Sequence, residues 1–140
     1  MKVSARNVLP CTVAEVKPGA VNAEILLDVS DTTRLVAIIT EESVRMLGLK
    51  PGVAVLALIK SSFILLAKGE APRTSARNTL PGTVVDRKDG AVNSEIVLDV
   101  GGGRALAAII TKESAENLDL RVGDHASALI KASHIILAID

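Results

Sequence analysis

Apolar residues at Val21, Ala23, Ile25, Leu27 and Val29 alternate with Asn22, Glu24 and Asp28. A period of two with one apolar face marks a half-buried strand. Pro18-Gly19, just ahead, marks a tight turn into it. Upstream, Val8 to Val16 is rich in β-formers but is interrupted by Pro10. Proline cannot donate to a ladder, so this run predicts an edge or bulged strand. Leu35 to Ile39 is a short continuous apolar run, which predicts a buried strand. Thr40-Glu41-Glu42-Ser43 then starts a helix, with Thr40 as N-cap and two acids against the positive helix end. Val44 and Leu47 fall on its buried side, and Gly48 suits the residue after its C-cap. Pro51-Gly52 makes a turn. Val53 to Ile59 and Phe63 to Ala67 then predict a pair of strands joined as a hairpin through Lys60-Ser61-Ser62.

The whole pattern then occurs again. Ser4-Ala5-Arg6-Asn7 returns as Ser75-Ala76-Arg77-Asn78, 71 residues later. Gly19-Ala20-Val21-Asn22 returns as Gly90-Ala91-Val92-Asn93, and Ala57-Leu58-Ile59-Lys60 as Ala128-Leu129-Ile130-Lys131, at the same offset. The chain is therefore a tandem repeat. We expect a first domain over 1–69, a linker over 70–73 and a second domain over 74–140. Each unit carries about five strands and one short helix, so the expected class is mainly all-β, as two tandem OB-like five-stranded barrels. The short polar linker should leave the barrels adjacent.

Composition narrows the function. Units of this size sit near the lower limit for an independent core. The chain has one Phe, no Trp and no Tyr, yet is 49% hydrophobic, mostly through short aliphatics. Such units are expected to share apolar surface between repeats and between subunits, giving a homo-oligomer. Cys11 is the sole cysteine and its counterpart is Gly82, which argues against a catalytic or ligating thiol. The N-terminal segment has no hydrophobic run behind its charge, so no signal peptide is read there. No run approaches the ~18 apolar residues of a membrane span. Lys+Arg and Asp+Glu are both 16, so no long-range field attracts nucleic acid or anionic lipid. We therefore expect no nucleic-acid and no membrane partner.

No acid–base or nucleophile pair, zinc-type spacing, P-loop or GxGxxG is present, so the chain is not read as an enzyme. His125 and His134 stand opposite Ala54 and Phe63 of the first copy, and His134 reads as a surface or interface ring. Gly101-Gly102-Gly103 replaces Ser30-Asp31-Thr32 and reads as a hairpin turn, not a phosphate cradle. What remains is a set of anion donors. Ser4, Arg6 and Asn7 start the first strand. Thr40 and Ser43 sit at a helix N-terminus with free backbone N–H groups, and Lys60, Ser61 and Ser62 sit at the expected hairpin tip. The second copy offers Ser75, Arg77, Asn78, Thr111, Ser114, Lys131 and Ser133. Such a set can surround a small oxyanion. Blander readings coexist: Thr40 and Thr111 as plain N-caps, Arg6 and Lys60 as solvated charges, Asn22 and Asn93 as turn residues.

Four motifs decide between these readings. The Ser-Ala-Arg-Asn start, the Gly-Ala-Val-Asn-Ala/Ser-Glu strand, the Ile-Thr-x-Glu-Ser helix start and the Ile-Lys-x-Ser turn occur in order in both copies. Together they resemble the Mop domain of the molbindins, cytoplasmic molybdate-binding proteins. The resemblance covers nearly the whole chain. It implies OB-like barrels in a trimer of two-domain chains, and molybdate or tungstate as ligand without an organic cofactor. It also implies sites between domains of different subunits. Ser4, Arg6, Asn7, Lys60 and Ser61 or Ser62 would meet Thr40 and Ser43 of a neighbouring domain, and the second-copy residues would act alike. A second class of site near the three-fold axis would use Ala20, Val21 and Asn22, and Ala91, Val92 and Asn93. No metal is coordinated directly, because molybdenum is held as its oxyanion. The implied role is cytoplasmic storage or buffering. The alternatives are an oxyanion sensor acting on a transporter or regulator and, with less support, a single-stranded nucleic-acid-binding OB module. That last reading lacks the stacking aromatics such surfaces use.

Overall fold

The computed structural model describes all of residues 1–140. The first copy forms β1 (Asn7–Lys17), β2 (Asn22–Asp28), β3 (Arg34–Thr40), α1 (Glu41–Leu47), β4 (Ala54–Ile59), a 3₁₀ turn (Ser61–Phe63) and β5 (Leu65–Lys68). The second forms β6 (Asn78–Asp89), β7 (Asn93–Gly101), β8 (Arg104–Thr111), α2 (Lys112–Asn117), β9 (His125–Ile130), a 3₁₀ turn (Ala132–His134) and β10 (Ile136–Ala138). The mainly-β class and the five-stranded units stand as expected. Both helices start behind a threonine N-cap, and α1 ends on Gly48 in the left-handed region at φ 63°.

The expected hairpin does not form. The two five-stranded sheets run in the order β10-β4-β1-β2-β3 and β5-β9-β6-β7-β8. Each half thus gives its last strand to the other: β5 pairs with β9 and β10 with β4, both antiparallel. The reason is local. A tight hairpin needs positive-φ residues, and Lys60-Ser61-Ser62 contains neither Gly nor Asn. Lys60 and Ile64 are extended instead, on either side of a single 3₁₀ turn, so the chain is carried across the gap between the halves. Ile64 and Ile135 are both buried and anchor the two crossings.

The strand holding Pro10 is bulged but lies inside the sheet, not at its edge. Asn7 to Thr12 pair with β4, while pairing with β2 begins only at Thr12. Pro10 therefore sits where one side of the strand is open, so its missing N–H leaves no ladder bond unmade. The register slips between Val13 and Glu15, and between Val84 and Asp86 at the matching place in the second sheet.

The strand exchange merges the two cores. One cluster of 27 buried residues includes Ile25, Leu35 and Ile59 of the first copy with Ile96, Leu106 and Ile130 of the second. Apolar surface is indeed shared between the repeats. The tips of the β2–β3 and β7–β8 hairpins also touch. A Cβ on Gly102 would lie 2.6 Å from the Ser30 side chain, and Gly102 has φ +61°. A side chain at 102 would collide with the facing tip, which accounts for the glycine at that position.

Candidate functional site

Both Ser-Ala-Arg-Asn segments lie at the junction of the halves. Arg6 Nη1 lies 2.7 Å from Glu95 Oε2, and Arg77 forms the matching ion pair with Glu24. Each arginine side chain is about half exposed, at 51%. The β1–β4 ladder ends on Asn7 and Ile59, so Arg6 and Lys60 are the next residues on the two strands. Arg77 and Lys131 stand in the same relation beyond Asn78 and Ile130. Two cations therefore sit together at each strand end, with a carboxylate from the other half already against one of them.

The asparagines differ from expectation. Asn7 is 3% exposed. Its Nδ2 donates to Ala107 O at 2.9 Å and to Ile59 O at 3.2 Å, and its Oδ1 accepts from Ala107 N at 2.8 Å. Asn78 grips Val36 of the first copy with the same geometry, and also donates to Ile130 O. Each amide meets both the N–H and the C=O of an edge residue on β8 or β3, much as one rung of a further strand would. These side chains close the sheet edges of the opposite half. They have no donor left over for an anion, so the expected ligand role of Asn7 and Asn78 is replaced by a structural one.

The helix starts offer fewer free groups than expected. Thr40 Oγ1 accepts from Ser43 N at 3.1 Å and donates to Ser43 Oγ at 2.8 Å. Glu41 N donates to Val21 O at 2.9 Å. Of the first three helical N–H groups, that leaves only the one on Glu42. Thr111 and Ser114 repeat the bonds at 3.1 and 2.8 Å, and Lys112 N donates to Val92 O at 2.8 Å. The N-cap reading of Thr40 and Thr111 therefore holds, while the serine hydroxyls keep their own protons to donate. Replacing Thr40 or Thr111 with valine removes a cap, and urea unfolding should read a loss of about 1 kcal/mol for each. The same bonds bring the Ala20-Val21-Asn22 and Ala91-Val92-Asn93 segments against the helix starts. Asn22 pairs with Thr40 and Asn93 with Thr111, so both asparagines begin strands and are not turn residues. Val21 and Val92 are each 73% exposed.

The crossing turns distribute the remaining donors. Ser61 is 5% exposed, like its counterpart Ala132 at 2%, so little of the side chain is open to a ligand. Ser62 and Ser133 are exposed, as is Ser4. Because β5 has crossed over, Ser62 lines a cleft of about 530 Å³ with Asn93, Thr111 and Ser114 of the other half. A second cleft, of about 290 Å³, brings Ser75 and Lys131 together beside Phe63 and His134. Lys60 Nζ lies 5.4 Å from the Phe63 ring centre, within cation–π range. A cavity of about 720 Å³ between Gly69 and His125 holds none of the candidate residues, and its Glu70 and Asp99 would repel an anion. Burial pushes the Cys11 thiol up to about 11, in keeping with an unreactive side chain. Sequence reasoning missed Glu24, Glu95 and His134 as neighbours of the site. The glutamates had a signal, since both close the repeated Gly-Ala-Val-Asn-Ala/Ser-Glu motif.

The TOBE domain family matches residues 3–66 and again 74–137. MopA of Rhodobacter capsulatus, a molybdenum-pterin-binding protein, is 53% identical over 140 residues, covering 99% of this chain and 53% of MopA. The transcriptional regulator ModE of Yersinia pestis is 35% identical over 139 residues, covering 99% of this chain and 53% of the regulator. The chain thus spans about half the length of these curated relatives. A crystal structure of the cytoplasmic molybdate-binding protein ModG, with molybdate bound, superimposes with a TM-score of 0.95 at 44% identity, covering 100% of both chains. No helix in this chain is long and apolar enough to cross a membrane. The motifs, the paired five-stranded sheets and both domain matches agree: the chain belongs to the TOBE-domain family and carries two tandem copies of that domain.

Proposed function

We propose that this chain binds molybdate reversibly, and tungstate with it, as a cytoplasmic store and not as an enzyme. The observation that carries this reading is the full-length likeness to ModG, at 44% identity and a TM-score of 0.95. The chemistry of the donors supports it. A tetrahedral dianion taken from water needs positive charge and several hydrogen-bond donors. Arg6 with Lys60, and Arg77 with Lys131, supply the charge. Ser4, Ser62, Ser75 and Ser133 supply exposed hydroxyls.

Within one chain these donors lie open on the surface, and Ser114 lines a different cleft from Ser75. Sites completed between chains of a homotrimer fit that separation. The Ala20–Asn22 and Ala91–Asn93 segments, with their exposed valines, suit a second class of site at a subunit junction. Ligand shared between chains would also raise apparent stability by mass action. Charge alone cannot separate molybdate from sulfate, so discrimination would rest on the size of the closed site.

Calorimetry with molybdate, tungstate and sulfate tests the proposal. Tight binding of the first two and at least tenfold weaker sulfate binding is the expected result. Equal affinities for molybdate and sulfate would sink it. One observation favours a second reading, as a ligand sensor: the likeness to half of a transcriptional regulator. A partner protein captured only in the presence of molybdate would favour sensing over storage.

A further inference from the structure

The halves differ where their crossing turns meet. His134 stands opposite Phe63, and the two rings lie 4.5 Å apart between centroids, tilted by 34°. Lys60 Nζ rests 5.4 Å from the Phe63 ring centre, so an aromatic face holds that ammonium. His134 instead lines the cleft of about 290 Å³ that contains Ser75 and Lys131, and no carboxylate lines that cleft.

The ring has a defined polarity. His134 Nδ1 is buried and has no hydrogen-bond partner. A neutral imidazole carries its one proton on either nitrogen, leaving the other as a bare acceptor. A buried N–H without an acceptor is rarer and costlier than a bare buried lone pair. The proton therefore belongs on Nε2, the ring nitrogen that is not an enclosed orphan. Stacking on Phe63 restrains the ring, so an Nε2–H is held ready beside Lys131 and Ser75.

We propose that His134 Nε2–H is a direct donor to the oxyanion held by Ser75 and Lys131, making the second-copy site tighter than the first. This rests on the oxyanion-binding function proposed above. At the matching position the first copy has Phe63, which has no N–H to give. A hydrogen bond to a charged acceptor is short and directional, and it adds to the point charge of Lys131. The two strand-end sites, at Lys60 and at Lys131, would then differ in affinity despite the repeated sequence.

Calorimetry with molybdate on the full chain at pH 8 tests this. The unaltered chain should show two affinity classes about tenfold apart. His134→Phe should abolish the tighter class, whereas His134→Gln, which keeps an N–H at similar reach, should largely retain it. A single class in the unaltered chain, or His134→Phe binding as the unaltered chain does, overturns the proposal. No molybdate binding by the unaltered chain would instead overturn the oxyanion function itself. Nitrogen-15 NMR of the unaltered chain serves even where His134→Phe fails to fold. It should place the proton on Nε2 and show that resonance moving with molybdate, and a proton found on Nδ1 overturns the assignment.

Discussion

Asn7→Ala combined with Asn78→Ala is expected to lower the unfolding free energy by about 5 kcal/mol, from about 2–3 at each site. Each asparagine is 3% exposed and makes three hydrogen bonds to backbone, two of them to one edge residue of the opposite half. Alanine leaves those N–H and C=O groups enclosed without partners. The penalty is then the desolvation of stranded groups, which exceeds the net worth of the bonds themselves. A domain of this size is stable by only about 5–15 kcal/mol, so the double variant should lie close to unfolding at ambient temperature. Urea titration would read the change as a lower midpoint at unchanged slope. Losses below about 1 kcal/mol per site would mean that water reaches the freed groups. In that case the amides would be surface donors, as the sequence alone had suggested.

Those two side chains also mark where the sequence stops being legible. The alternation in β2, the threonine caps and the glycine after α1 are local signals, and each produced the element it predicted. The strand exchange has only a negative local signal. β5 could meet Ala57-Leu58-Ile59 of its own copy or Ala128-Leu129-Ile130 of the other, and these segments are identical in sequence. Strand pattern cannot choose between identical partners. The choice rests on a turn lacking the glycine or asparagine that a hairpin requires. Asn7 was ambiguous for a related reason: its edge partner, Ala107, lies 100 residues away. Which of Ser61 and Ser62 faces outward depended on the phase of a three-residue turn, and periodicity cannot fix a phase over one turn. The arginines were named as candidate site residues, but their carboxylate partners came from the opposite copy and were not.

Those carboxylates allow the binding site to be tested in two opposite directions. Arg6→Ala with Arg77→Ala should weaken molybdate binding by about 10–100-fold, the range for losing a charged hydrogen bond to a buried anion. Glu24→Gln with Glu95→Gln should strengthen it. In the free chain Glu95 lies 2.7 Å from Arg6, and Glu24 is paired with Arg77. An arriving dianion must share each guanidinium with that carboxylate and sit near its charge. Glutamine is nearly isosteric, removes the repulsion and releases the arginine. Neither pair of substitutions should change stability much. The arginine side chains are 51% exposed, and ion pairs of that kind contribute about 0–1 kcal/mol. Calorimetry beside urea unfolding separates the two quantities. If the arginine variant lost stability in step with affinity, the pairs would be structural clasps like Asn7 and Asn78. If the glutamine variant bound more weakly, the carboxylates would be holding the guanidinium groups in the geometry that the anion needs, and Glu24 and Glu95 would then belong to the site as positioning residues.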